Sequence, residues 1–208
     1  MLALILAGGE GTRLGMGEKP LVTLCGRPMI TFVIDAFTGA DLEVMVIASP
    51  HTPMTVNYLR ARGIPFCRAA GKGYMEDIVE AVLELGVRTP FFTSVADIPC
   101  LRPEHITRIR TTYEAQGRQA LSTWIPRDLC HADGPMAPCT EVVGGVPSVP
   151  VGVNILTGEG IRKPQDEYQL LLRDPALALN VNTREDLEEA RRVLRGKNGD
   201  QAKTSDTR

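Results

Sequence analysis

The stretch LALILAGGEGTRLGMGEKPL, residues 2–21, joins a five-residue apolar run to a loop that holds five glycines, one arginine and one lysine. Residues 2–6 have the length and composition of a buried strand. The loop contains no GxxxxGK[ST] string, and its glycines are not spaced as GxGxxG before a helix. We therefore predict an irregular phosphate-binding loop, in which bare backbone N–H groups face an anion and Arg13 and Lys19 supply countercharge. A merely flexible turn is the alternative interpretation.

Downstream of this loop, apolar runs of strand length recur at 44–48, 64–67 and 90–95, with amphipathic segments between them. Thr52 and Pro53 are typical of a helix N-cap and first turn, and Gly63 is typical of a helix end. Strands that alternate with helices predict an α/β fold that is Rossmann-like, with a mostly parallel central sheet and helices on both faces.

The second half of the chain is less regular. A strand at 120–124 is followed by a Pro- and Gly-rich excursion, 125–148, that we interpret as a substrate-side loop with a strand inside it. Further strands are predicted at 149–156 and 176–182. Thr183, with Asp186 three residues later, begins a last helix that we expect to end at Gly196. Residues 1–195 thus form one domain, and residues 196–208 are predicted to be a disordered tail.

Composition excludes several functional classes. The 23 basic and 25 acidic residues give a net charge of −2, so no overall field attracts nucleic acid. There is no apolar run of about 18 residues, and residues 1–6 are too short for a signal peptide, so we predict a cytoplasmic protein without a membrane span. The five cysteines form no CxxC pair, which argues against a disulfide framework and a zinc knuckle.

Two more features follow strands at the carboxyl edge of the predicted sheet. A second glycine loop, AAGKGYMED (69–77), follows the third strand, and Asp97 follows the fourth. Ligands of open α/β sheets bind at this edge. A carboxylate beside phosphates requires a divalent cation, so we assign Asp97 as a Mg²⁺ ligand. The alternative for the second glycine loop is an ordinary helix entry, and the alternative for Asp97 is a helix cap. Asn180 or Asn182 can complete the metal sphere, unless Asn182 only caps the last helix.

These segments together resemble nucleotidyltransferases of the MobA-like NTP transferase superfamily. LAGGEGTRLG…EKPL resembles its signature LAGGxGxRxG…xKxL, DIP (97–99) resembles its metal-binding turn, and NVNTREDL (180–187) resembles the NxNTxEDL ending of guanylyl-transferring members. EKPLVTLCGRPMI (18–30), SPHTP (49–53), GKGYMEDI (71–78) and VPVGVNIL (149–156) are similar in order and spacing to the archaeal-type adenosylcobinamide-phosphate guanylyltransferases. Residues 125–148 match that pattern weakly.

The resemblance implies a nucleotidyltransferase fold and a reaction in which adenosylcobinamide phosphate attacks the α-phosphorus of GTP and pyrophosphate leaves. It implies that Lys19, Arg13 and Asp97 are catalytic and that Asp97 binds Mg²⁺. Asn182 is the second metal ligand that we assign from its position in the chain, with Asn180 as the alternative. The nucleotide-binding residues that the resemblance implies are Ala7, Gly8, Gly9, Gly11, Thr12, Arg13, Lys19, Ser49, Gly71, Lys72, Gly73, Asp97 and Gly152. Gly152 is expected close to the nucleotide, where a side chain would collide with it.

The chemistry requires no general base, because a phosphate monoester is largely dianionic at pH 7. The three histidines form no recognisable triad with Ser or Asp, as a hydrolase would need. We expect removal of Lys19 to affect rate and not fold. Two alternatives stay open: an NTP transferase for molybdopterin or a sugar phosphate, and a GTP-binding module without catalysis. The sequence leaves the oligomeric state and the groups that read guanine undetermined.

Overall fold

The structure is a computed structural model that describes residues 1–9, 11, 14–130 and 140–204. The strands are β1 (Leu2–Leu6), β2 (Thr23–Leu24), β3 (Arg27–Pro28), β4 (Glu43–Ala48), β5 (Phe66–Arg68), β6 (Pro90–Val95), β7 (Ala120–Pro126), β8 (Glu141–Val143), β9 (Val146–Thr157) and β10 (Glu167–Leu171). The α-helices are α1 (Met29–Thr38), α2 (Pro53–Ala61), α3 (Tyr74–Glu84), α4 (Pro103–Gln116) and α5 (Arg184–Thr204). Short 3-10 helices lie at Lys19–Leu21, Arg127–Leu129 and Pro175–Ala178.

The central sheet has the strand order β10-β7-β9-β6-β1-β4-β5, with β8 paired to β9. Strands β6, β1, β4 and β5 are mutually parallel, as the alternating pattern predicts. Strand β9 runs antiparallel to both of its long neighbours, β6 and β7. The prediction of a mostly parallel sheet is confirmed, with β9 as the exception.

Side chains of β1 alternate between two apolar layers, because successive residues of a strand point to opposite faces. Ala3 and Ile5 belong to the layer that also contains residues of α1, α2 and α4. Leu4 belongs to the opposite layer, which includes residues of α3. Helices therefore cover both faces of the sheet, as predicted. A third apolar cluster joins α5 to the β2–β3 hairpin.

Strand order places the first loop at the switch point of the sheet. From β1 the chain builds β4 and β5 on one side and then returns to add β6 on the other side. Loops that leave β1 and its two neighbours diverge there and form a crevice beyond their carboxyl ends. The segments after β1, β4, β5 and β6, which include both glycine loops and Asp97, all leave the sheet at this edge.

The predicted strand at 176–182 is wrong. Residues 175–178 form a 3-10 helix, with Asp174 accepting a hydrogen bond from the Ala176 amide at 2.9 Å. A short apolar run does not by itself distinguish a strand from other buried backbone. The apolar side chains here are buried against other segments of the chain, Leu177 in one cluster and Leu179 and Val181 in another. The sheet instead gains β10, which the sequence did not reveal.

The last helix does not end at Gly196 but continues to Thr204. Its start is as predicted, because the Asp186 amide donates to Thr183 Oγ1 at 3.2 Å and the Thr183 amide donates to the Asp186 carboxylate at 2.8 Å. Gly196 does not adopt a positive φ. A glycine with helical backbone lowers helix stability by about 1 kcal/mol without ending the helix. The domain limit at 195 and the tail stay predictions.

Candidate active site

A pocket of about 280 Å³ opens at the carboxyl edge of β1, β5 and β6. Seven of the nucleotide-binding residues that the resemblance implied line it: Ala7, Gly8, Gly9, Lys19, Gly71, Gly73 and Asp97. Four more do not line the pocket but lie next to residues that do: Gly11, Ser49, Gly152 and Asn182. Thr12 and Arg13 lie outside the described residues, as does part of the predicted excursion, residues 131–139.

The loop after β1 is held close to the loop after β4. The Ala7 amide donates to the Ile47 carbonyl at 2.8 Å, which extends the β1–β4 ladder by one residue. Ser49 Oγ donates to the Gly8 carbonyl at 3.1 Å, and a Cβ on Gly8 would lie 3.1 Å from Ser49 Cβ. Ser49 is 3% exposed, so the structure gives it a role in positioning Gly8. Its predicted contact with the nucleotide stays a prediction.

Gly9 and Gly11 are glycine for different reasons. Gly9 lines the pocket, and a Cβ added there would meet no described atom within 4 Å. Gly11 has φ +69°, and its Cβ would lie 2.9 Å from both the backbone nitrogen and Cβ of Lys19. Protein packing therefore explains Gly11, which lets the loop fold back against Lys19. Packing does not explain Gly9, where the open side faces the pocket that a ligand would fill.

Lys19, Asp97 and Asn182 form one polar cluster at the pocket wall. Lys19 Nζ donates to Asp97 Oδ2 in a short ion pair and to Asn182 Oδ1 at 2.8 Å. The side chains of Lys19 and Asp97 are 14% and 17% exposed. The second carboxylate oxygen of Asp97, Oδ1, is buried without a hydrogen-bond partner. The structure thus brings the predicted catalytic lysine and both predicted metal ligands together.

Asn182 is placed by the backbone around it and does not cap α5. The Val181 amide donates to the Asp97 carbonyl at 2.9 Å, which joins this segment to the end of β6. The Asn182 amide donates to the Asp186 carboxylate at 2.9 Å, while the Asn182 side chain bonds Lys19 and Asn180. Thr183 is the cap. Of the two interpretations of Asn182, the structure therefore favours a site residue.

Glu18 fixes the segment that carries Lys19. Its carboxylate accepts hydrogen bonds from the amides of Met54 and Thr55, at 2.7 and 2.6 Å, and from Thr55 Oγ1 at 2.7 Å. Exposed amides at a helix N-terminus favour a negative charge. The predicted cap, Thr52, makes no side-chain capping bond to α2; its hydroxyl instead donates to the Ser49 carbonyl at 3.3 Å. The capping group thus comes from a residue distant in sequence.

The second glycine loop is organised by Asp77. Its Oδ1 accepts hydrogen bonds from the amides of Gly71 and Lys72, both at 3.0 Å, and the side chain is 8% exposed. Gly71 has φ +73°, and its Cβ would lie 3.0 Å from His51 Cδ2. Gly73 has φ +145°, a conformation that favours glycine. The loop is therefore a defined structure and not only a helix entry. Lys72 is exposed and does not line the pocket.

Tyr74 forms part of the pocket wall next to this loop. Its hydroxyl lies 3.1 Å from Thr93 Oγ1 and accepts a hydrogen bond from Asn154 Nδ2 at 3.4 Å. Burial raises the pKa of Tyr74, although the two hydrogen bonds oppose that effect. The phenol therefore stays neutral at physiological pH and holds the start of α3 against β6 and β9.

Gly152 lies against Val95, which lines the pocket. Gly152 has φ +85°, and its Cβ would lie 2.8 Å from Val95 Cγ2. The expected collision of a side chain at 152 is therefore with Val95 in this structure. A substitution would displace the pocket wall, so the predicted influence on the nucleotide would pass through Val95.

Residues 3–198 match the MobA-like NTP transferase domain. The chain belongs to the MobA-like NTP transferase family. A curated relative, the adenosylcobinamide-phosphate guanylyltransferase of Methanocaldococcus jannaschii, is 31% identical over 94% of this chain and 98% of its own length.

Solved structures show the same fold. The molybdopterin-guanine dinucleotide biosynthesis protein A of Archaeoglobus fulgidus has a TM-score of 0.66 at 19% identity, over 94% of this chain and 100% of that chain. A hypothetical transferase from Thermus thermophilus has a TM-score of 0.67 at 18% identity, over 89% and 98% of the two chains. At these identities the likeness concerns the fold alone, and it confirms the fold that the resemblance implied.

The donor set of this MobA-like transferase fits a magnesium ion. No three His, Cys, Asp or Glu side chains form a metal-binding group in the described part of the chain. Magnesium that accompanies a nucleotide needs only one or two protein oxygens, since phosphates and water supply the rest. Asp97 Oδ1 is a buried oxygen without a partner, and Asn182 Oδ1 is held in the same cluster by Lys19. Both are hard oxygen donors of the kind that Mg²⁺ prefers.

Sequence reasoning missed Glu18 and Tyr74 and did not foresee the holding role of Asp77. Glu18 stands beside Lys19 in the EKPL segment, but nothing local indicates that it reaches α2. Asp77 follows Gly71 and Gly73 closely in the sequence. Its Oδ1 accepts hydrogen bonds from the loop amides. The only sequence signal for that contact is a carboxylate shortly after two glycines.

Proposed function

We propose that this protein transfers GMP from GTP to adenosylcobinamide phosphate, giving adenosylcobinamide-GDP and pyrophosphate. The observation that carries the proposal is the cluster of Lys19, Asp97 and Asn182 beside the bare backbone of Gly8 and Gly9. A cation, a metal-type carboxylate and unhindered backbone at one pocket suit a nucleoside triphosphate. The acceptor is proposed from the relative that matches nearly the full length of both chains.

The reaction forms one bond and breaks one. A phosphate oxygen of the acceptor attacks the α-phosphorus of GTP, and the bond from the α-phosphorus to the β-bridging oxygen breaks, so that the electron pair leaves with pyrophosphate. The nucleophile is largely dianionic at pH 7, and no protein base is needed. The barrier comes from bringing two anions together, so alignment and positive charge are what the protein must supply.

The residues divide this work. Lys19 supplies positive charge at the α-phosphate, and Arg13 supplies it along the triphosphate. Gly9 lets phosphates approach the backbone, which a side chain there would prevent, and Gly8 lets the loop pack against Ser49. Asp97 and Asn182 would hold Mg²⁺, which when bound neutralises phosphate charge. Glu18 holds the Lys19 segment in place through α2.

The opposite end of the pocket suits the nucleoside. Gly71, Gly73, Tyr74 and Asp77 line it. Asp77 holds the loop so that backbone groups of residues 71–73 can meet the guanine edge, and Tyr74 closes the wall beside them. A site that pairs with the guanine N1–H and 2-amino groups would reject adenine, whose matching edge leaves those acceptors unpaired.

A pyrophosphate-release assay with Mg²⁺ tests the proposal. Purified protein is mixed with GTP or ATP and with adenosylcobinamide phosphate, molybdopterin or mannose 1-phosphate, and the product is identified by mass spectrometry. We expect rapid release only with GTP and adenosylcobinamide phosphate, and a product of the mass of adenosylcobinamide-GDP. Faster release with another acceptor would assign the protein to that acceptor. GTP binding without release for any acceptor would support a non-catalytic module instead.

Asp97→Asn and Asp166→Asn provide the matched pair for this assay. Asp97 stands in the cluster, whereas Asp166 pairs with Arg118 in an exposed ion pair at the far edge of the sheet. We expect the first change to abolish release and the second to leave it unchanged.

The location and the partners of this protein were predicted from its composition. No described helix is long and apolar enough to cross a bilayer. A cytoplasmic location and the absence of nucleic-acid partners stay predictions, and the oligomeric state is open.

A further inference from the structure

Lys19 lies where the proposed metal would bind. Its ammonium bonds Asp97 Oδ2 and Asn182 Oδ1, which are side chains that we assign to Mg²⁺. An ammonium and a metal ion both bind through carboxylate and amide oxygens. One carboxylate oxygen of Asp97 and the amide oxygen of Asn182 are therefore already engaged by a cation of the protein itself, while Asp97 Oδ1 has no partner.

The charge of the cluster favours one bound cation at a time. Asp97 is the only carboxylate that contacts Lys19 Nζ among the described residues, and both side chains are mostly buried. Two cations that share one carboxylate at such short range would repel each other strongly where water screens them little. A divalent ion can enter only if the ammonium leaves or if further negative charge arrives.

Lys19 can leave without any change of the fold. Its backbone is fixed, because Lys19 begins a 3-10 helix, Gly11 packs against its backbone nitrogen and Cβ, and the adjacent Glu18 is tied to α2. The four-carbon stem beyond Cβ is flexible and carries a compact charge. Side-chain rotation alone would move Nζ from Asp97 towards a phosphate group in the pocket.

We propose that Lys19 is a resident cation that occupies the metal position in the nucleotide-free protein and moves onto the nucleotide phosphates when the metal-nucleotide complex binds. The metal then enters with the nucleotide and not before it. Until that exchange, Lys19 neutralises Asp97 and keeps its carboxylate oriented. This inference rests on the proposed function, since it assumes that the site takes Mg²⁺ with a nucleoside triphosphate.

The test measures metal binding without nucleotide, so that it does not depend on catalysis. Free Mn²⁺, used in place of Mg²⁺, is titrated with protein and followed by its electron paramagnetic resonance signal. We expect the native protein to bind Mn²⁺ weakly. Lys19→Met, which keeps an apolar stem and removes the charge, is expected to bind it at least about tenfold more tightly. Adding Asp97→Asn to Lys19→Met is expected to abolish that gain.

Lys163→Met is the matched control. Lys163 is exposed and follows β9 at the edge of the sheet opposite the pocket, beyond the pairing of Thr157 with Pro90. The Lys163→Met variant should bind Mn²⁺ as weakly as the native protein does. Lys19→Arg keeps the charge and should also stay weak. Equal Mn²⁺ affinity of the native protein and Lys19→Met would overturn the inference, as would a gain that survives Asp97→Asn.

A melting experiment covers the case in which Lys19→Met is poorly folded. Without the lysine, Asp97 is left as an unpaired, mostly buried charge, so Mn²⁺ should raise the melting temperature of Lys19→Met, or refold it, and should change that of the native protein little. No rise for Lys19→Met would contradict the inference. Failure of the transferase proposal would appear separately, as native protein that releases no pyrophosphate.

Discussion

Lys19 illustrates how one side chain carries both chemistry and structure. The sequence indicates a residue that affects only rate. The structure shows it in a mostly buried ion pair with Asp97 and bonded to Asn182. Removing one partner of such a pair leaves an uncompensated charge, which is costly to stability. The expectation of an unaffected fold is therefore revised.

We predict that Lys19→Ala lowers turnover at least about a hundredfold, because a preorganised charge at the reacting phosphate is lost. It should also lower stability by about 2 kcal/mol, or about 4 to 8 °C in melting temperature for a domain of this size. Pyrophosphate release and thermal denaturation measure the two effects. The double variant Lys19→Ala, Asp97→Asn should recover stability but not activity. Near-native turnover in Lys19→Ala would remove the lysine from the mechanism.

Gly9 and Gly11 provide a second pair of predictions for single residues. Gly9→Ala meets no described atom, so the melting temperature should stay within about 2 °C while GTP affinity falls at least about tenfold, because the methyl group would occupy ligand space. Gly11→Ala, at φ +69°, should instead lose about 1 to 3 kcal/mol of stability. Calorimetric GTP binding and thermal melts separate the two. Unchanged GTP binding in Gly9→Ala would show that no ligand group approaches this residue.

Loops and helices of this protein are coupled by carboxylates that reach amides of other segments. Glu18 accepts from the first turn of α2, Asp77 at the start of α3 accepts from the preceding loop, and Asp186 accepts from residues before α5. Each bond joins a loop to a helix: α2 and α3 are packed on the sheet, and α5 is packed on the β2–β3 hairpin. These bonds hold the loops in place relative to the helices.

Asp77→Ala should loosen the second glycine loop with little effect on the reacting groups. Two amide bonds to a charged acceptor are lost, and each is worth about 1.5 to 3 kcal/mol where it is fully formed. We expect KM for GTP to rise about tenfold and kcat to change less than about threefold, because the loop lies at the nucleoside end. Steady-state kinetics measure both. Glu84→Ala, on the exposed last residue of α3, is the control and should behave as native; a fall in kcat alone for Asp77→Ala would place the loop nearer the chemistry.

A partly buried polar cluster joins the segment after β10 to the start of α4. Asp174 accepts hydrogen bonds from Arg102 Nη2 at 2.6 Å and from His105 Nε2 at 2.8 Å, and Arg102 also pairs with Glu104. Burial raises the pKa of Asp174, but the bonds from His105, the Ala176 amide and Arg102 outweigh it and lower the pKa to about 2. Burial lowers the pKa of His105, which is therefore neutral at pH 7.

A lowered carboxylate pKa stabilises the folded state above the unfolded value of 3.8, and the stabilisation is lost as pH falls towards about 2. The shift in pKa corresponds to about 2 to 3 kcal/mol at most, and partial exposure reduces it, so we expect Asp174→Asn to cost about 1 to 2 kcal/mol at pH 7. The difference from native protein should shrink between pH 4 and pH 2 in urea denaturation. Asp166→Asn, in an exposed pair, should cost less than about 0.5 kcal/mol. A difference for Asp174→Asn that is constant with pH would contradict the assignment.

The local pattern of the sequence was sufficient for elements that are defined by near neighbours. Strands β1 and β6 have the predicted limits, and the Thr183–Asp186 pair begins α5. The spacing of apolar residues, the helix caps and the glycines affect the structure of only a few neighbouring residues. They can therefore be interpreted without knowledge of the fold. The irregular glycine loop and Asp97 were identifiable for the same reason, since each follows the end of a strand, and Lys19 was identifiable as a cation at the end of that loop. The strand assigned to 176–182 failed because burial there is decided by the clusters around Leu177 and Val181 and not by a ladder.

Only the folded chain shows how the site is assembled. Lys19 and Asn182 are 163 positions apart, and Lys19 and Asp97 are 78 apart, yet one ammonium bonds both. The antiparallel direction of β9, the reach of Glu18 to α2 and the contact of Gly152 with Val95 likewise depend on which strands become neighbours. Residue types indicate the available chemistry, because the charge of a side chain, or its absence in glycine, is a property of the residue itself. The distances between the site residues are set by packing between segments that are far apart in the sequence. No single stretch of sequence therefore determines them.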